Sequence, residues 1–123
     1  MIEGVVNASH EAVIRLAVQG PSGQPRDIEA VIDTGYSGML TLPSSIVAEL
    51  GLSFRSSGRA ILANGDEDAF STYDATVLWD GALREVEADA LGPSPLAGMA
   101  LLERHELCLA VTDGGRVSIE TAG

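Results

Sequence analysis

The chain has 123 residues, 18 acidic against 7 basic side chains, and a formal net charge of -11. That length supports one domain, residues 1–123, with one core, and a hydrophobic content of 46% argues against disorder. All the basic residues are Arg and none are clustered, so the acidic field opposes binding to nucleic acid or to anionic membranes.

Met1 to Val6 has neither the positive nor the long apolar region of a secretory leader. The longest apolar stretches, such as Leu96–Leu102, fall far short of the ~20 residues that span a bilayer. A cytoplasmic location is the expectation. Cys108, lone and flanked by Leu107 and Leu109, reads as a small buried hydrophobe.

In chain order, Glu11–Val18 carries Val13, Ile14, Leu16 and Val18 around one charge, Arg15, and this apolar density predicts a strand largely covered on both faces. Gly20–Pro25 is a turn cluster, after which Ile28–Ile32 resumes as a strand and Met39–Leu42 follows as another. Ser44–Gly51 has a polar start, a Gly stop and Ile46, Val47 and Leu50 on one stripe, which predicts a short helix. Arg59–Ala63, Phe70–Trp79, Leu83–Ala90, Leu107–Val111 and Arg116–Glu120 read as strands divided by turn signals. In Phe70–Trp79 the residues Tyr73, Ala75, Val77 and Trp79 share one face at period two. Leu96–Arg104 is a weaker helical candidate. Many short strands with regular turns predict an all-β barrel or sandwich.

The informative tripeptide is Asp33-Thr34-Gly35, between two apolar strands. A carboxylate at the end of a buried strand is costly unless it is hydrogen-bonded or functional. In a chain with 8 Asp, 6 Thr and 14 Gly the string has a chance expectation of about 0.04, so its flanks must discriminate. Other motifs fail sooner. Gly35-Tyr36-Ser37-Gly38-Met39 misses the last Gly of a nucleophile elbow. Asp66, Asp68 and Asp74 lack the Gly and Glu of a calcium loop. His10 and His105 have no second ligand at metal spacing, and no metal site is expected.

Val31-Ile32-Asp33-Thr34-Gly35 resembles the active-site segment of single-domain retropepsin-like aspartic proteases, above all the bacterial stand-alone type. Pro95–Leu102, hydrophobic around Gly98, resembles that family's second segment. Between them, Ala63-Asn64-Gly65-Asp66 stands where the family has the tip of its flap hairpin. The resemblance spans about Glu11 to Glu120.

It implies an all-β acid-protease barrel with one or two short helices, assembled as a C2 homodimer. Asp33 from each subunit would be catalytic, supported by Thr34 and Gly35. Ala63, Asn64 and Gly65 would contact substrate from the flap, and Ala97 and Gly98 would form the second motif. The substrate would be a peptide or protein, with no cofactor. The chain ends, Val5-Val6 and Val117 with Ile119, would interleave between subunits. Tyr36 stands where the family has a small residue, and Ala100 where retroviral members have a polar one. These departures raise an alternative, a non-catalytic dimeric peptide-binding module of the same fold.

Overall fold

The computed structural model describes residues 1–61 and 64–123. Among these residues ten strands and one helix run in the order β1 (Ile2–Val6), β2 (Ala12–Gln19), β3 (Arg26–Ile32), β4 (Leu40–Leu42), α1 (Ser44–Leu50), β5 (Ser53–Ile61), β6 (Glu67–Trp79), β7 (Ala82–Ala90), β8 (Leu96–Ala97), β9 (His105–Leu109) and β10 (Arg116–Thr121). Six of them close on themselves. β2 pairs with β3, β3 with β8, β8 with β4, β4 with β7, β7 with β6, and β6 returns to β2. The result is the expected all-β barrel.

Its interior follows from period-two alternation. Ile14, Leu16 and Val18 of β2 face inward together with Val77 and Trp79 of β6, Val86 and Ala88 of β7, and Leu40 and Leu42 of β4, all buried. Each such Val or Leu contributes roughly 1.5–3 kcal/mol by leaving water. The helix is too short to stand by propensity. Ile46 and Val47 bury against the barrel, and Gly51 closes the helix by donating its N–H to Ala48 O.

Two additions hang on the barrel. β5 and the first half of β6 form a long hairpin, in register from Phe54↔Tyr73 to Ile61↔Glu67 with a bulge between Phe54 and Ser56. Beyond β2 the sheet continues through β1, β10 and β9.

Four expectations change. Leu96–Arg104 is not a helix. Leu96 and Ala97 give their backbone to β3 and β4, and the rest is a run of turns that buries Leu101 and Leu102. The arms of the hairpin begin earlier than the hydrophobic pattern suggests, because exposed two-stranded ribbons need no apolar face. Cys108 is exposed, since Leu107 and Leu109 stand opposite Ile119 and Val117 and take the core-side face. The chain ends do not wait for a partner. β1 pairs with β10 of the same chain, and Val117 and Ile119 are already fully buried.

Candidate active site

Asp33 is the first residue past β3. Its N–H donates to Ala97 O at 2.9 Å, and its Oδ1 accepts the Gly35 N–H at 2.9 Å. A second turn bond runs from the Tyr36 N–H to Asp33 O at 3.1 Å. The carboxylate is therefore held half-buried in a turn tied by its own side chain, while Thr34 and Gly35 are exposed. A charge so placed keeps one oxygen committed to the turn and the other available.

The two motif segments cross. Gly98 N–H donates to Met39 O at 2.9 Å, Met99 N–H to Tyr36 O at 2.8 Å, and Ala100 N–H to Gly38 O at 3.0 Å. The contact leaves no room for a side chain. A Cβ on Gly98 would fall inside the van der Waals surfaces of Gly38 O and the Tyr36 ring, and 2.8 Å from Tyr36 O. The structure thus brings Asp33, Gly35, Ala97 and Gly98 into one crossing.

Asn64 and Gly65 lie apart, at the exposed tip of the hairpin, in a turn closed by the Asp66 N–H donating to Asn64 Oδ1. Gly65 has φ 88°, a value that suits glycine. Ala63 lies outside the described residues.

Tyr36 resolves its own anomaly. Its ring turns inward over Gly38, and its hydroxyl donates to Asp89 Oδ2 at 2.5 Å. Thr72 of β6 donates to the other oxygen of Asp89 at 2.7 Å. A tyrosine in place of a small residue is accommodated by two glycines that open a slot for it. Asp89 and Thr72 were not singled out from sequence. The available signal was an Asp between Ala88 and Ala90 at the end of a strand whose inward face is apolar.

Two further anchors hold the second segment. Thr41 Oγ1 accepts the Leu96 N–H at 2.9 Å. Arg84 donates to Leu101 O at 2.9 Å and lies over the Trp79 ring, whose Nε1–H donates to His105 Nε2 at 3.1 Å. His105 is thus a structural acceptor. Among the described residues no group of three metal-ligating side chains forms. A concavity of about 460 Å³ among the described residues includes Met39, Arg55, Asp74 and Glu87 but not Asp33. There Arg55 bridges Asp74 and Glu87 at 2.9 and 2.7 Å.

Burial, and then the neighbouring Asp89, push the Tyr36 phenol well above its ordinary pKa of about 10. The neutral form is the one the fold favours. Its contribution is therefore complete below pH 10 and is lost as pH climbs past that value. Replacing Tyr36 by Phe should cost about 1–3 kcal/mol near neutrality, because Asp89 loses a donor. It should also flatten the alkaline fall in stability above about pH 10. Urea titrations across pH measure both; equal curves for the two proteins would remove Tyr36 as a brace.

No protein-family model matches the chain, and no curated protein does. Solved structures do. A retropepsin-like aspartic protease from Rickettsia conorii superposes with a TM-score of 0.63 at 18% identity, covering 99% of this chain and 92% of that one. EIAV protease in complex with the inhibitor HBY-793 superposes with a TM-score of 0.55 at 14% identity, covering 79% and 89%. The closed six-stranded barrel agrees with both, and the chain has the retropepsin-like fold.

Proposed function

We propose that the chain is one half of an aspartic endopeptidase, a single domain whose active site is completed by a second copy. The observation that carries this reading is the position of Asp33, fixed by Gly35 N–H and Ala97 O at the crossing of two segments on a retropepsin-like fold. The likeness to solved proteases gives the fold; the reaction is inferred from the carboxylate and its setting.

Amide hydrolysis needs a base to activate water and an acid for the leaving amine. Two carboxylates about 3 Å apart repel by roughly 5 kcal/mol at an effective dielectric of ~20. One proton is then retained between them, the behaviour known of aspartic-protease dyads. The charged Asp33 takes the water's proton and hands it to the amine nitrogen as the C–N bond breaks. The protonated Asp33 of the second copy hydrogen-bonds the scissile carbonyl. The pair titrates as a unit. Thr34, exposed beside Asp33, would brace the facing turn. The hairpin carrying Asn64 and Gly65 would close over an extended peptide as a flap, pairing with its backbone.

The alternative of a binding module without turnover drew on Tyr36 and on Ala100, and the structure speaks to the first. Its ring points into the protein toward Asp89 and not toward the exposed side of the turn, so this departure does not count against catalysis.

The test is cleavage of a mixed peptide library from about pH 3 to about pH 8, with a statin-type mimic as inhibitor. Rate per mole of chain should rise with protein concentration, since dilution separates the halves. A rate per mole that is flat over a hundredfold range, down to nanomolar protein, would count against a shared site.

A further inference from the structure

Asp89 lies where the long hairpin leaves the barrel. β7 follows β6 from Ala82↔Trp79 up to Asp89↔Thr72, and there their pairing ends. Past Thr72, among the described residues, β6 pairs with β5 alone, from Ser71↔Ser57 to Glu67↔Ile61. The other arm changes at the same level. The bulge between Phe54 and Ser56 stands opposite Tyr73 and Thr72, and its extra residue, Arg55, is tied to Asp74 and Glu87, the next rung on the same face. The Thr72–Asp89 rung is therefore the root of the hairpin.

Alternation along β7 turns Val86 and Ala88 into the core and Asp89 to the opposite face. Both of its oxygens are nevertheless engaged. Thr72 Oγ1 donates to one at 2.7 Å and the Tyr36 hydroxyl to the other at 2.5 Å, lengths usual for a hydroxyl bound to an anion. Tyr36 in turn belongs to the acidic turn. Its N–H donates to Asp33 O at 3.1 Å, and its O accepts the Met99 N–H at 2.8 Å. Among the described residues no strand pairing and no backbone hydrogen bond joins the hairpin root to that turn. One carboxylate spans the two, with a donor from each.

We propose that Asp89 is a positioning residue, which locks the root of the β5–β6 hairpin to the turn that carries Asp33. This rests on the reading of the chain as an endopeptidase whose hairpin closes over an extended peptide. In that reading the hairpin sets where the peptide backbone runs, and Asp33 must meet the scissile bond where the hairpin presents it. Those two positions agree only if the root and the turn are held to each other. A misplacement of about 1 Å between reacting groups is enough to cost up to about a hundredfold in rate. Asp89 acts through Thr72 on one side and Tyr36 on the other, and takes no part in the proton transfers.

Thr72→Val and Tyr36→Phe each cut one arm of the link and keep the shape of the side chain. At a protein concentration and temperature where every variant is folded and assembled, each should lower kcat for peptide cleavage about tenfold. KM should stay within about threefold, because the hairpin still pairs with the peptide. Either cut opens the same link, so the double variant should also lose about tenfold and not about a hundredfold. Amide hydrogen exchange reads the link without catalysis. Tyr36→Phe should speed exchange in residues 67–71, and Thr72→Val should speed it at Tyr36 and Met99, with the β1–β10 ladder unchanged in both. Losses that multiply in the double variant, or exchange altered only in the mutated segment, overturn the link, and the endopeptidase reading stands as long as the wild type cleaves. Exchange transmitted in both directions by a protein that cuts no peptide keeps the link and overturns the endopeptidase.

Discussion

Asp33→Asn should leave a folded, self-associating protein with peptide cleavage reduced by about 10³-fold or more. The substitution keeps the size of the side chain and the acceptor for Gly35 N–H, so the turn has no reason to open. What it removes is the ability to exchange a proton, an effect of roughly 10²–10⁴-fold for a single acid or base. In a pair that shares one proton, the loss removes both roles at once. The sharper result comes from mixing. With the variant at about ninefold excess, only about a tenth of wild-type chains find a wild-type partner. Activity per wild-type chain should fall by the same factor if the site spans two chains, and should not change if each chain carries a complete site. A binding module predicts a third outcome, with peptide affinity retained and no turnover in either protein. The fold is common to all three readings, and this measurement separates them.

Much of the barrel is legible because alternation is a strong constraint. In the Tyr73, Ala75, Val77 and Trp79 stripe of β6 the last three bury as the period requires, with Val77 fully enclosed, and Tyr73 is partly buried against them. The helix at Ser44–Leu50 was visible from its stop and its stripe. Two kinds of feature were not legible. Where a backbone is claimed by distant strands, local pattern misleads. Leu96 and Ala97 look like the start of a helix, yet they pair with Val31, Ile32, Leu40 and Thr41. Where exposure depends on which face of a strand a residue takes, composition misleads. Cys108 sits among apolar neighbours and still faces solvent, because alternation along β9 gives the core-side face to Leu107 and Leu109. The site divides the same way. Asp33, Gly35 and Gly98 were visible as motifs, whereas the anchors Asp89, Thr72, Thr41 and Arg84 are separated in sequence from the groups they hold. Sequence spacing carries no trace of such partners.

Gly98→Ala should be far more damaging than one methyl group suggests. No positive φ is involved at this position, so the cost is steric alone. The new Cβ meets the carbonyl oxygens of Gly38 and Tyr36 together with the Tyr36 ring. Flexible side chains yield to such a contact, but these carbonyls accept the Ala100 and Met99 N–H groups that hold the crossing. Overpacking of this kind costs typically 1–3 kcal/mol and sometimes more, and relief by displacement would move the Asp33 turn. Stability and cleavage should therefore fall together in urea titrations and peptide assays. Gly92→Ala is the control: Gly92 has φ 71° with open space around its Cβ position. It should cost about 1 kcal/mol of backbone strain and leave the site in place. Adding Tyr36→Ala to Gly98→Ala should restore little, since it clears the ring and leaves both carbonyls. Substantial recovery in that double variant would mean that the Tyr36 side chain, and not the backbone crossing, sets the position of the carboxylate.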